Sequence, residues 1–249
     1  MSRLRLITIP FSHYCEKARF GLDYAGLPFE EEAHLPMLAA RHARRAGGRR
    51  TVPVLVTDKG AVGDSTDILQ FCDRHAADDR RLYPPALADE VRALEDHFDE
   101  KLGPHVRRLA FFHALPSRGY VLDLVGVSVP AWQRLLLRAS FPLLRAALRR
   151  ALRIDAAGAA RSQARVDEVF AEVAQRLAGG QGFLIGDRFS AADLTFAALA
   201  SPLLRPAEHP RPDQPRQAPA SLKALQDQLR ATPAGRFALR IYERFRRPG

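Results

Sequence analysis

Three short stretches hold residue types at spacings that could do chemistry. The first is Ser12-His13-Tyr14-Cys15, which follows an apolar run and stands where an amphipathic stretch begins. A hydroxyl and a thiol at a helix start suit sulfur chemistry. Unpaired helix N–H groups and the positive end of the dipole favour a thiolate there, whether on a cysteine or on a bound thiol. The alternative for Ser12 is an ordinary N-cap. The second stretch is Val52-Pro53 at the entry to a β-branched run. Proline is tolerated at a strand's first residue, and a cis bond there would present the N–H and C=O of Val52 to a peptide-like ligand. The third is Asp64-Ser65. A carboxylate followed by an N-cap hydroxyl can hold an amino-acid head group, Asp64 taking the ammonium and Ser65 with the helix end taking the carboxylate. A capped helix with no ligand is the alternative.

These residues need elements to hold them. Residues 4–9 read as a strand closed by Pro10, residues 16–25 as a helix stopped at Gly26, and residues 28–33 as a weaker strand. After a possible short helix and a basic connection over 41–50, residues 52–57 and 61–62 give two strands around a turn, and a helix follows from 64 to about 77. Interposed helices need a sheet to cover, so a small mixed α/β layer is expected. Beyond Tyr83-Pro84-Pro85 the strand signals stop, and amphipathic helices are expected over 87–115, 131–153, 156–178, 191–204, 222–230 and 235–246. Pro142 should kink or split the second of these, and the six prolines between 202 and 219 should interrupt helix. The expected domains are 1–79, mixed α/β, and 87–249, all-helical, with an extended basic helix over 131–153.

The chain has 249 residues, 47% of them hydrophobic, two cysteines and a formal charge of +10. That hydrophobicity excludes a disordered chain, and two cysteines exclude a disulfide-stapled scaffold. The N-terminal apolar run is too short for a signal peptide, so a cytoplasmic setting is expected. Residues 1–78 carry a net +1, whereas residues 104–166 hold eleven arginines against Asp123 and Asp155. The excess charge is one block. No zinc spacing, aromatic-interleaved basic run or recognition-helix signature accompanies it, so neither nucleic acid nor a metal is expected as partner. Residues 124–154 hold six arginines and no acid, with leucines between them. Such a stretch is a core helix with its arginines in water or against a dimer partner, or a basic amphipathic helix in peripheral contact with an anionic membrane.

In order and spacing, residues 11–22 (FSHYCEKARFGL), 52–55 (VPVL) and 63–68 (GDSTDI) resemble the thioredoxin-like N-terminal domain of the cytosolic glutathione transferases. Residues 183–194 (FLIGDRFSAADL) resemble the signature opening a core helix of that family's C-terminal domain, where Ser190 and Asp193 would form a capping box. The resemblance runs from about residue 3 to 205. It implies a thioredoxin-like domain followed by an all-α domain, glutathione as co-substrate, no metal, and a homodimer acting on a small apolar electrophile in detoxification. It implies Ser12 as the catalytic hydroxyl of a serine-type enzyme, with conjugation or peroxide reduction as the reaction. Val52 and Pro53 would meet the cysteinyl backbone of glutathione, and Asp64 with Ser65 its γ-glutamyl end. His13 and Tyr14 would line the electrophile pocket or face solvent. Cys15 would be a packed thiol or a redox partner, and Cys72 core. Phe111, Phe112, Tyr120 and Trp132 are further pocket candidates.

Two departures accompany the match. Many family members carry a lysine or arginine directly before the Val-Pro pair, where this chain has Thr51 preceded by Arg49 and Arg50, and the stretch 110–153 is unusually long and basic. The alternative to an enzyme is a non-catalytic scaffold of the same fold that uses the basic helix against a membrane or a protein.

Overall fold

The computed structural model describes residues 4–126, 128–210 and 217–246. Its N-terminal part holds strands β1 (Leu4–Thr8), β2 (Phe29–Ala33), β3 (Val54–Thr57) and β4 (Gly60–Gly63), with helices α1 (His13–Tyr24), α2 (Pro36–Arg45) and α3 (Ser65–His75). The strands form one sheet in the order β2-β1-β3-β4. β1 and β2 are parallel, while β3 is antiparallel to both β1 and β4. The period-2 pattern of β1 explains the layers. Leu4 and Leu6 point into a cluster with Ala18, Leu22, Ile68 and Cys72 of α1 and α3. Ile7, one step out of phase, packs on Ala43 of α2 across the other face.

The remainder is helical: α4 (Ala88–Lys101), α5 (Gly103–Ala114), α6 (Arg118–Gly126), α7 (Ala131–Ala151), α8 (Ala156–Leu177), α9 (Ala191–Leu204), α10 (Ala220–Arg230) and α11 (Pro233–Phe245). α9 is buried along nearly its whole length and packs against α1, α4, α5, α10 and α11, so it is the axis on which the two parts meet. An all-round apolar helix has no solvent face to offer and must sit in the middle. The expected capping box holds it in place. Both capping bonds between Ser190 and Asp193 are present, and the second Asp193 oxygen accepts the Leu184 N–H at 2.8 Å.

Several expectations are corrected. The helix expected over 87–115 is two, because Gly103-Pro104 opens a new helix where Pro104 has no N–H to continue the old one. α6 was not anticipated: its apolar residues are a short run between Gly119 and Gly126, with little helical periodicity to find. Pro142 lies inside α7 without ending it, and Pro202 likewise inside α9. Of the interrupting prolines, Pro212 and Pro215 lie outside the described residues.

Candidate functional site

Strand directions bring the three sequence stretches together. β1 ends at Thr8, Ile7 pairs with Val54 at the start of β3, and Val54 pairs with Gly63 at the end of β4. Val52-Pro53 and Asp64-Ser65 adjoin their strand ends directly, and Ser12 follows the end of β1 after a three-residue turn. They therefore share one end of the sheet, where α1 and α3 also begin. Two helix N-termini at one edge make it receptive to carboxylates and thiolates.

Ser12 is the N-cap of α1, and its Oγ accepts the Cys15 N–H at 3.3 Å. Capping uses an oxygen lone pair, and the Ser12 hydroxyl also bonds with the Cys15 thiol, drawing the thiol's pKa down against the effect of burial. Val52-Pro53 is cis, and the Val52 N–H and C=O make no hydrogen bond with the described residues. One expectation is reversed at α3. Asp64, not Ser65, is the N-cap: its Oδ1 accepts the Thr66 N–H at 3.0 Å, and Ser65 is the buried first residue of the helix. Asp64 holds φ at 81°, a left-handed conformation that is strained for a non-glycine residue and is tolerated only where the surroundings impose it.

His13 and Tyr14 do not face solvent. The first turn of α1 is covered by α5, whose Gly103, Arg107 and Phe111 form an i, i+4, i+8 stripe against it. A side chain at position 103 would collide with the Tyr14 hydroxyl, so glycine permits the approach. His13 is buried with Nε2 unpartnered. Burial, and then the charge of Arg107, hold its pKa at about 3, so the imidazole is neutral at physiological pH. Burial and Asp99 raise Tyr14 to about 12, and its hydroxyl donates to the Asp99 carbonyl at 2.9 Å. Phe111 packs edge-on against Phe11, 5.7 Å between centroids. Of the pocket candidates, Phe111 is buried against Phe11, the residue before Ser12, whereas Trp132 is exposed on α7. Cys15 and Cys72 are both buried free thiols, and burial raises the pKa of each, so neither offers a ready thiolate.

Sequence reading missed the polar cluster behind this edge. Lys17, fully buried, meets Glu95 at 2.9 Å and Asp99 at 2.6 Å, both on α4. Thr66 donates into the same pair, and Tyr83 donates to Glu95 at 2.6 Å. Only Oδ2 of Asp99 is engaged. Its Oδ1 is buried without a partner, and the charge of Asp64 acts on the same group. Burial raises the pKa of Asp99, against the pull of Lys17. The one signal in sequence was the Glu95/Asp99 pair at i, i+4, which alone reads as a solvated helix face.

Two other ionic clusters are spent internally. Glu16 on α1 is buried against Arg246 Nε at 2.9 Å, with Arg19 at 3.4 Å and His209 at 3.7 Å. Burial opposes its charge, but His209, Arg246 and Arg19 together hold the carboxyl at about 2. At the edge strand, Glu32, His34 and His42 converge as metal-type donors. Gln133 Oε1 accepts the Leu35 N–H, so its Nε2 donates to His34 Nδ1. The remaining His34 proton is thereby fixed on Nε2, 2.7 Å from Glu32. The lone pair that a cation would need at that nitrogen is occupied.

Two family models match the chain: the glutathione S-transferase N-terminal domain over residues 6–80 and the glutathione S-transferase C-terminal domain over residues 156–224. This chain belongs to the glutathione S-transferase superfamily. Its fold is shared with a Methylobacterium radiotolerans glutathione S-transferase solved with glutathione sulfonate, at 23% identity, TM-score 0.54, covering 96% of this chain and 95% of that one. A Ceriporiopsis subvermispora glutathione S-transferase solved with glutathione is similar at 17% identity and TM-score 0.65, over 100% and 99% of the two chains. The β-etherase LigF from Sphingobium is similar at 20% identity and TM-score 0.59, over 95% and 98%. Among curated proteins none matches this sequence. Residues 81–155, which include the basic block of α7, lie in neither family match.

Proposed function

We propose that this end of the sheet binds reduced glutathione and lowers the pKa of its thiol, so that the thiolate attacks a small apolar electrophile or a hydroperoxide. The observation that carries the reading is the Ser12 hydroxyl: its oxygen caps α1, and its proton can turn from the Cys15 thiol, a weak acceptor, to a bound sulfur. That proton donates to the developing thiolate, and the first turn of α1 adds the field of its N-terminus. The Val52 N–H and C=O pair with the cysteinyl backbone in strand fashion. The outer oxygen of Asp64 and the unpartnered Oδ1 of Asp99 take the γ-glutamyl ammonium, and Ser65 with the start of α3 takes its carboxylate. Arg49 and Arg50, both exposed, stand in for the basic residue missing at Thr51.

In conjugation the thiol proton leaves to solvent, the S–C bond forms, and the leaving group departs with its electron pair. Tyr14 takes no part as base, since its phenol is un-ionised and already committed to a carbonyl. The family resemblance adds a homodimer, to be read by sedimentation. A thermal-shift titration with reduced glutathione tests the reading: a hundredfold excess over Kd raises stability by about 2.7 kcal/mol. Absence of any shift at millimolar ligand contradicts it.

A further inference from the structure

Helix α7 has two apolar faces. One, built from Leu137 and Phe141 with Leu144 and Leu148 beside them, packs into the helical core. The other faces outward: Trp132 is 58% exposed, Leu135 69%, Leu136 46% and Leu143 76%. At 3.6 residues per turn, positions 132, 135, 136, 139 and 143 fall on one side of the helix, and Ala139 continues the apolar strip between the leucines. Arg134, Arg138, Arg145 and Arg149 recur along one flank of that strip, and none of them makes an ion pair among the described residues. Gln133 ties the start of α7 to Leu35, the residue before α2, in whose first turn Met37 is 86% exposed. An apolar ridge beside an unpaired row of arginines is the composition of a helix that lies in a membrane interface.

We propose that α7 docks in the plane of an anionic phospholipid bilayer, with Trp132, Leu135 and Leu143 in the acyl boundary and the arginine row at the phosphates. Charge decides the occupant. A second copy meeting this face symmetrically would set two rows of arginines together, with no acid between residues 124 and 154 to receive them. An anionic lipid surface supplies the counter-charge at every position of the row. The contact is interfacial, because no helix among the described residues is long and apolar enough to cross a membrane. Glutathione chemistry at the sheet edge is neither required for this docking nor excluded by it.

Trp132 is the chain's single tryptophan, so its emission reports on the proposed contact without a label. The full chain is titrated at low ionic strength with phosphatidylcholine vesicles, with and without phosphatidylglycerol. With the anionic vesicles Trp132 emission shifts to the blue and is quenched by brominated acyl chains, and about 1 M salt, where the Debye length is about 3 Å, reverses the effect. Each substitution among Arg134→Gln, Arg138→Gln and Arg149→Gln lowers partitioning about fivefold, and Leu135→Gln or Leu143→Gln about tenfold. All five positions are exposed, so folding survives, and Arg240→Gln on α11 serves as a control that changes partitioning little. The proposal is overturned by unchanged emission with anionic vesicles, by equal binding to neutral ones, or by lipid-free self-association that the leucine variants abolish.

Discussion

Helix α1 carries buried polar groups of two kinds. Towards its middle, Glu16, Lys17 and Arg19 are each met by opposite charges from elsewhere in the chain: Arg246 near the C-terminus, Glu95 and Asp99 on α4, and Glu31 on β2. At its start, beside the capping hydroxyl of Ser12, His13 keeps a ring nitrogen without a partner, and nearby Asp99 keeps a carboxylate oxygen without one. Paired groups fix how the two parts of the chain meet. Groups with atoms left over, gathered at one end of a sheet, point to a ligand, since an unmatched buried polar atom costs about 1–3 kcal/mol and persists where something else offsets it.

The contrast can be broken at either end, and the largest effect is expected among the paired groups. Arg246→Ala strands Glu16 and Asp23, so urea unfolding should show a loss of about 3–5 kcal/mol. A wild-type midpoint would mean that Arg19 and His209 suffice. Acid comes next. Glu16 falls from 4.5 in an open chain to about 2 in the fold, and His13 from 6.5 to about 3. In both, the unfolded chain binds the proton first, so stability is full above the open-chain value and is lost as pH falls through the folded one. The windows run from 6.5 down to 3 for His13 and from 4.5 down to 2 for Glu16, worth on the order of 5 and 3 kcal/mol respectively. Stability measured in His13→Gln should lose the slope in the upper window and keep it in the lower. At the other end of the contrast, Asp99→Asn should lower stability by only about 1 kcal/mol but weaken glutathione about tenfold, read by calorimetry. Unchanged affinity would make Asp99 structural only.

The sequence was readable where local rules and tertiary demands agree. Alternating apolar residues set β1, the proline at strand entry marked Val52-Pro53, and Ser190 with Asp193 announced the capping box. Ser12, Val52, Pro53, Asp64 and Ser65 do converge on one edge of the sheet, because strand directions carry them there. What failed depended on partners far along the chain. No local pattern shows that α5 covers His13 and Tyr14, or that Lys17 waits for α4. The exchange of cap between Asp64 and Ser65 turned on a backbone angle that no composition reveals. The basic block was visible as charge, but only the fold separates the buried side of α7 from its exposed apolar side.

The central claim is that the hydroxyl proton of Ser12 activates the bound thiol. The direct measurement is the ultraviolet thiolate absorbance of the glutathione complex across pH, in the wild type and in Ser12→Ala. In the wild type the bound thiol should ionise well below the free-thiol value of about 8.5. In Ser12→Ala it should return towards that value, with stability lowered by about 1 kcal/mol for the lost cap, glutathione affinity largely retained and turnover down about a hundredfold. The same thiol pKa in both proteins, or loss of affinity together with turnover, would contradict the claim and leave Ser12 as the cap of α1 alone.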